Sequence, residues 1–283
     1  MTNQEKKALS AFACKVRMGV IEAVYNAKSG HPGGSLSAAD MMTYLYNKEM
    51  RVNPQEPKWE DRDRFVLSKG HIAPCLYATL ANRGFFPVED LVTLRKLGSY
   101  LQGHPNMTMT PGVDMSTGSL GQGVSVAAGM AKAAKYMNKD VRVYTVLGDG
   151  EIAEGEVWEA FLFAAHYNLD NLCVIIDLNG LQIDGATKDV MNTAPVSDKM
   201  KAFGFNVLEI DGHNYDEIEA AFDAFHACEG KPTVILMKTV KGKGVSFMEG
   251  RPEWHGKAPN GEQYESAMSE LRAQLAELEA ANE

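Results

Sequence analysis

The chain has 283 residues and a formal charge of −9 at pH 7, and this acidic balance argues against a nucleic-acid surface, where clustered Lys and Arg are expected. Its four cysteines, Cys14, Cys75, Cys173 and Cys228, are scattered without a CxxC pair and read as reduced thiols of a cytoplasmic protein. No apolar run approaches the roughly 18 residues of a membrane span, and the length suits one α/β domain over residues 1–283 with a long decorated edge.

Leu9, Phe12, Val16, Val20 and Val24 recur at three-to-four spacing and predict an opening helix that stops at Ser29-Gly30-His31-Pro32-Gly33-Gly34. A second helix is expected with Ser37 as its cap, Asp40 in its first turn and Met41, Leu45 and Met50 facing inward. Residues 64–67 read as a strand, and Ser68-Lys69-Gly70-His71 leads from it into a helix over 72–82. The stretch 98–118 is loop carrying Gly103-His104-Pro105, and it ends at Thr117-Gly118-Ser119-Leu120-Gly121-Gln122-Gly123. An Ala- and Gly-rich helix over 124–137 follows, whose small residues permit close approach to another backbone.

From there strand and helix alternate: strand 141–147, helix 154–167, strand 172–176, helix 199–203, strand 206–210, helix 215–229 and strand 233–239. That rhythm predicts a parallel sheet covered by helices on both faces. Tyr264, Met268, Leu271, Leu275 and Leu278 share one stripe of an amphipathic helix over about 262–281, which must dock on something.

In a parallel sheet, ligands bind where strands end, so the loops after Leu67, Leu147, Ile176 and Thr239 should gather on one edge. Gly148-Asp149-Gly150 closes one strand, and Asp177-Leu178-Asn179-Gly180 closes the next. A carboxylate between two glycines would repel phosphate by itself, but it suits a hard cation such as Mg²⁺ held between protein oxygens and phosphate. Asn179 at the neighbouring strand end would face the same metal. Alternatively, both are ordinary turn residues. A dinucleotide reading is also open, because Gly148-x-Gly150-x-x-Ala153 matches the G-x-G-x-x-[GA] fingerprint and Asp177 stands where a ribose-binding acid would. Against it, Asp149 and Glu151 place two negative charges beside a pyrophosphate that only a helix dipole of about half a charge would offset.

Four of the seven histidines, His31, His71, His104 and His255, lie in Gly- or Pro-containing loops, where backbone can approach a ligand and imidazole can move protons near neutrality. His166, His213 and His226 read as ordinary helix or turn residues. Lys241-Gly242-Lys243-Gly244 reads equally as a phosphate-attracting loop or a solvated turn, and Trp158, Phe161 and Phe163 as packing.

Taken in order, Ser29-Gly30-His31-Pro32-Gly33, Gly70-His71, Gly103-His104-Pro105, the 117–123 loop, Gly148-Asp149-Gly150 with Glu154-Gly155, and Asn179 followed by Ile183-Asp184-Gly185 resemble the amino-terminal, diphosphate-binding half of transketolase. The resemblance implies a thiamine diphosphate fold, with Asp149, Asn179 and the carbonyl of Leu181 binding the metal (Mg²⁺, Ca²⁺ or Mn²⁺). It implies Gly150, His71, His255 and Asn179 around the cofactor diphosphate, Gly118, Ser119 and Leu120 along the aminopyrimidine, and Ile183 against the thiazolium. His31, His104 and His255 would touch the ketose donor's oxygens. Glu154, with a catalytic role, and Glu159, beside the cofactor, would match family acids near the docking place of a partner.

Full transketolases are roughly twice as long, and their second half carries the glutamate that activates the aminopyrimidine and the arginines that hold sugar phosphate. The resemblance therefore implies the first subunit of a split transketolase, joined by a C-terminal, pyrimidine-binding subunit in an α2β2 assembly, moving a two-carbon ketol unit between sugar phosphates. Gly34-Ser35 stands where the family commonly has Ala-Pro, and Asn106 where it often has an acid, which leaves the donor open. Deoxyxylulose-phosphate synthase and an oxo-acid dehydrogenase α subunit share the metal turn, but the loops of His31 and His104 favour transketolase. A nicotinamide-dependent dehydrogenase and a non-catalytic regulatory module are the more remote alternatives.

Overall fold

A computed structural model describes residues 1–280. Its centre is a five-stranded, all-parallel sheet built from β1 (Arg64–Leu67), β2 (Val143–Gly148), β3 (Leu172–Leu178), β6 (Asn206–Asp211) and β7 (Thr233–Lys238) in the order β1-β2-β3-β7-β6, with a separate small hairpin of β4 (Leu181–Gln182) and β5 (Gly185–Ala186) after β3. The helices are α1 (Asn3–Ala27), α2 (Pro32–Ser37), α3 (Ala39–Tyr44), α4 (Ala73–Asn82), α5 (Gln122–Tyr136), α6 (Gly155–His166), α7 (Thr187–Val190), α8 (Val196–Ala202), α9 (Tyr215–Ala227) and α10 (Gly261–Ala280).

The period-2 alternation of the strands divides the core into two. Phe65 and Leu67, Tyr144 and Val146, Cys173 and Ile175, and Ile235 and Met237 face the layer of α1, α3, α4, α9 and α10. Val66, Val143 and Leu147, Leu172, Val174 and Ile176, and Val234 and Leu236 face α5, α6 and α8. Both faces are covered, so the strands read as continuous apolar runs, and each fully buried Val, Leu or Ile contributes about 1.5–3 kcal/mol. The expected helices and strands are present with ends displaced by a few residues, except that Pro32, Gly33 and Gly34, expected as loop, lie in α2. The outer edge of β1 is closed by side chains: Asp114 Oδ2 accepts the Phe65 amide at 2.8 Å, and Thr117 Oγ1 donates to the Leu67 carbonyl at 2.7 Å. That closure also delivers Gly118 to the site edge.

Ser37 is not a helix cap. It ends α2, and its hydroxyl donates to the Gly34 carbonyl at 3.0 Å and to Asp177 Oδ2 at 2.7 Å. Its partner lies on a distant strand, which no local pattern can announce. Asp40 does sit in the first turn of α3, but buried, paired with Arg17 at 2.6 Å and with His213 Nδ1 at 2.7 Å.

The C-terminal stripe docks on α1 of the same chain. Asn260 and Gln263 exchange amide and side-chain hydrogen bonds in a capping box that starts α10. Tyr264 stacks on Tyr25 at 4.1 Å, and Ala267, Met268 and Leu271 are buried. Residue 281, the last of the expected helix, lies outside the described residues. No helix among them is long and apolar enough to cross a membrane. Cys14, Cys75 and Cys173 are buried free thiols and Cys228 is half-buried.

Candidate functional site

Because β1, β2, β3 and β7 run parallel in register, their carboxyl ends bring Lys69, Asp149, Asn179 and Lys241 to one edge. Gly148 of β2 pairs with Asp177 of β3, so the two strand ends expected to face one cation are neighbours. Asp149 is 5% exposed. Its Oδ1 accepts the Gly150 amide at 2.8 Å and its Oδ2 the Gly180 amide at 2.6 Å. Burial, and then the charge of Asp177, push its carboxyl up from 3.8 to about 6, against the opposing pull of the Gly180 amide, Lys69 and Lys241. Asn179 turns its amide nitrogen to Asp177 Oδ2 at 3.2 Å and its Oδ1 to the Leu181 amide at 3.1 Å. The Leu181 carbonyl accepts from Lys241 Nζ at 2.8 Å.

A carboxylate, an amide oxygen and a backbone carbonyl are hard oxygen donors that suit Mg²⁺, Ca²⁺ or Mn²⁺ rather than a soft metal. Burial is the chief cause of the raised Asp149 carboxyl, and a cation beside it would oppose that rise. The residues present therefore fit a divalent cation. No cluster of three or more His, Cys, Asp or Glu that could hold a metal ion occurs among the described residues.

Asp177 is fully buried and already engaged at both oxygens. It pairs with Lys69 and accepts from Ser37 Oγ, Thr239 Oγ1 and Asn179 Nδ2. Burial alone would raise its carboxyl, but Lys69 with the Thr239 and Ser37 hydroxyls outweighs that and holds it below the usual range. Fully buried, it presents no oxygen to a ribose. The turn after Gly150 is a short 3-10 segment, Glu151–Ala153, and α6 opens only at Gly155. Both features count against the dinucleotide reading. Glu151 is buried too, and binds the Ser68 hydroxyl and the amides of Gly121 and Gly148.

Three of the four loop histidines converge. His31 lies 5.1 Å from His71 and 5.4 Å from His255, and His71 stacks on His255 at 5.2 Å between ring centroids. Burial, then Arg95, His104 and Lys241, lower His31 to about 4. Burial and then Lys241 lower His255 to about 3, and burial and then Lys69 hold His71 well below the ordinary histidine range. All three are neutral at pH 7. Lys241 Nζ meets His255 Nδ1 at 3.0 Å. An ammonium only donates, so Nδ1 accepts and the ring proton is on Nε2. His31 Nδ1 is buried with no hydrogen-bond partner, a polar atom that awaits one. His104 is exposed, its ring over Gly118, where a Cβ would come within 3.2 Å of its Cγ. Burial and then Arg95 lower it as well.

The remaining expected residues lie outside the three-histidine cluster, most of them with open surfaces. Gly150 lies against β4, so that a Cβ there would press on Gln182 at 3.0 Å. Ser119 is exposed, Leu120 is 38% exposed and Ile183 is 64% exposed. Glu154 precedes α6 without a side-chain cap bond, and Glu159 faces solvent on α6 between Gly129 of α5 and Phe163. Phe163, 38% exposed, is only partly the packing residue expected, whereas Trp158 and Phe161 do pack, edge to face at 5.7 Å.

Two cations at this edge escape a reading of the sequence. Lys69 reads there only as a step into a helix, yet it is buried against Asp177. Lys241, which could equally have belonged to a phosphate loop or a solvated turn, is 2% exposed. Burial and then Lys69 lower it to about 8. Its placement depends on glycine: Gly242, at φ 80°, donates its amide to the Gly33 carbonyl at 2.9 Å, and a Cβ on Gly33 would stand 3.1 Å from Lys241 Cγ. Lys243, two residues on, is the solvated one, 3.6 Å from Glu249. His213, expected as an ordinary helix or turn residue, bridges Asp40 and the Val240 amide and so steadies this loop from below. A cleft of about 990 Å³ between residues 56–62 and 107–114 lies apart from these groups, and its Arg62 is consumed by Asp114.

The sequence profile of the transketolase thiamine diphosphate-binding domain matches residues 8–276. A 6-deoxy-6-sulfo-D-fructose transketolase subunit of Clostridium sp. strain MSTE9 is 45% identical over 256 residues, 90% of this chain and 93% of its own. An apulose-4-phosphate transketolase subunit of Phocaeicola vulgatus is 45% identical over 268 residues, 95% of each chain. Among solved structures, transketolase from Campylobacter jejuni superposes with a TM-score of 0.89 at 34% identity, covering 98% of this chain and 46% of that one. The chain thus spans about half of a full-length transketolase and nearly all of the separate subunits.

Proposed function

The chain belongs to the transketolase family, in its thiamine diphosphate-binding domain, and on that premise we propose that it is the first subunit of a two-polypeptide transketolase. It folds as one domain, acts in the cytoplasm and combines with a C-terminal, pyrimidine-binding subunit to form α2β2. Together they carry a two-carbon ketol unit from a ketose phosphate to an aldose phosphate. The partner is supported by relatives that are named as subunits and are matched over 93% and 95% of their length.

Asp149, Asn179 and the Leu181 carbonyl would hold Mg²⁺ or a similar cation. His71, His255, Asn179 and the Gly150 backbone would hold the diphosphate, with Gly118, Ser119, Leu120, Glu159 and Ile183 along the rest of the cofactor. Bound thiamine diphosphate supplies the thiazolium carbon that accepts and hands on the two-carbon unit. The chain's own task is to orient substrate oxygens and move protons. Neutral His31, His104 and His255 can each give or take a proton at a carbonyl or hydroxyl oxygen, and general acid–base groups of this kind contribute about 10²–10⁴-fold. Glu154 stands beside the open surface on which the partner's residues would complete the site. Leu120, Leu162, Phe163 and Ile183 are exposed apolar side chains that a partner would cover.

The observation that carries this reading is the convergence of His31, His71 and His255 at the strand edge from which Asp149 and Asn179 emerge. Co-purification with the polypeptide encoded nearby, followed by ketol transfer over a panel of ketose and aldose phosphates, tests it. Turnover is expected from the pair and none from the chain alone. Full turnover by the chain alone would refute the need for a partner.

A further inference from the structure

The glycine of Gly103-His104-Pro105 makes room for an arginine. A Cβ on Gly103 would lie 2.6 Å from both Cζ and Nη1 of Arg95, so a side chain there would push the guanidinium away from the backbone beside His104. Gly103 is not among the glycines of positive φ, so its missing side chain serves this contact and not a turn. The contact is held from both ends. Arg95 takes a left-handed backbone, φ 61°, which is costly for any residue with a side chain, and its amide donates to the Leu101 carbonyl at 2.9 Å. Leu94 before it is buried, and the Tyr77 hydroxyl donates to the His104 carbonyl at 3.0 Å.

The guanidinium itself lacks a counter-charge. Arg17, Arg51 and Arg62 are bound to Asp40, Asp63 and Asp114. Arg95 is exposed and forms no ion pair among the described residues, and its side chain's one hydrogen bond there is a long one, Nη2 to the Gly103 carbonyl at 3.5 Å. Its charge nevertheless reaches the site, because after burial it is the leading cause that lowers both His31 and His104. A planar guanidinium offers paired N–H groups that match two oxygens of a tetrahedral anion, in charge-assisted bonds roughly twice as strong as neutral ones.

We propose that Arg95 sets substrate choice at this site: its guanidinium binds the phosphate or sulfonate end of a sugar whose carbonyl end lies at His31 and His104. The inference rests on the ketol-transfer reading, and it goes beyond that reading by giving this chain, and not the partner alone, a group for the charged end of the substrate. With the reacting oxygens at the histidines, a cation at the exposed edge beside them meets the part of the sugar further along. The same exposed charge draws an arriving anion toward the histidines.

Ketol transfer by the purified pair of polypeptides provides the test, with ribose 5-phosphate saturating as acceptor. The donors are fructose 6-phosphate, 6-deoxy-6-sulfofructose and xylulose 5-phosphate, compared with unphosphorylated fructose and xylulose. Arg95→Met should lower kcat/KM for the charged ketoses about tenfold or more, chiefly through KM, and leave the neutral ketoses within about twofold. Arg95→Lys, which keeps the charge without the fork, should recover part of the loss. Gly103→Ala, whose Cβ would displace the guanidinium, should reproduce the selective loss with Arg95 still present. A loss confined to the phosphate or to the sulfonate donors names the anion that Arg95 serves. An equal fall for charged and neutral ketoses would make Arg95 a support for His31 and His104, and it overturns the assignment, as does no fall at all; both leave ketol transfer by the pair standing. Turnover of no ketose by the unaltered pair overturns the ketol-transfer reading and the assignment with it.

Discussion

Asp149→Asn should make the unloaded chain at least as stable while spoiling its metal site. The folded chain raises the Asp149 carboxyl from 3.8 to about 6, which at 1.36 kcal/mol per unit means that the ionised group costs the fold about 3 kcal/mol above pH 6. The sign follows from proton binding: between 3.8 and 6 the folded state takes up the proton and the unfolded state does not, so acid relieves the cost. Asparagine removes the charge but keeps one acceptor oxygen for the two amides of Gly150 and Gly180. One orphaned amide costs about 1–3 kcal/mol. The net expectation is a variant about 1 kcal/mol more stable at pH 7, with that advantage falling by about 1 kcal/mol at pH 5. Urea unfolding at the two pH values measures both quantities, and metal-dependent cofactor affinity should drop about tenfold or more in the same protein. A variant about 2 kcal/mol or more less stable at pH 7, by the same amount at pH 5, would show that Asp149 is a structural cap rather than a charge held against the fold's interest.

Lys69→Met leaves Asp177 buried without its counter-charge and should cost about 3–5 kcal/mol in urea or thermal unfolding. Lys69→Met combined with Asp177→Asn should recover most of that loss; an additive pair of losses would contradict the pairing. Nitrogen-15 NMR of the imidazoles should find His31 and His255, drawn to about 4 and about 3 chiefly by burial, uncharged from about pH 8 to about pH 5. Because the unfolded chain protonates them near 6.5, their effect is to weaken the fold as pH falls below that value. Titration of either ring near 6.5 in the folded chain would contradict the packed cluster.

The sheet is legible in the sequence because its signal is local. The runs ending at Leu67, Leu147 and Ile176 are apolar on alternate and intervening residues alike, as strands buried on both faces must be. The convergence of His31, His71 and His255 is legible too, since the glycine or proline beside each lets backbone come close, whereas the same signal at His104 marks a residue outside the cluster. Ser37 misleads for the opposite reason. Serine before a helix is a common cap, yet its hydroxyl is claimed by Asp177 on β3, a partner that no local pattern reveals. Lys241 and Lys243 are indistinguishable in Lys-Gly-Lys-Gly, and the fold separates them through the approach of Gly33 to Gly242. Asp177, legible as a strand-end acid, changes meaning once Lys69 is seen to neutralise it.

Calorimetric titration of thiamine diphosphate into the chain, once with Mg²⁺ and once with a chelator, tests the metal–diphosphate site most directly. Heat of binding should appear with Mg²⁺ and vanish without it, and NAD should give none. Binding of NAD with thiamine diphosphate silent, or thiamine diphosphate binding indifferent to the chelator, would contradict the assignment of Asp149, Asn179 and Leu181.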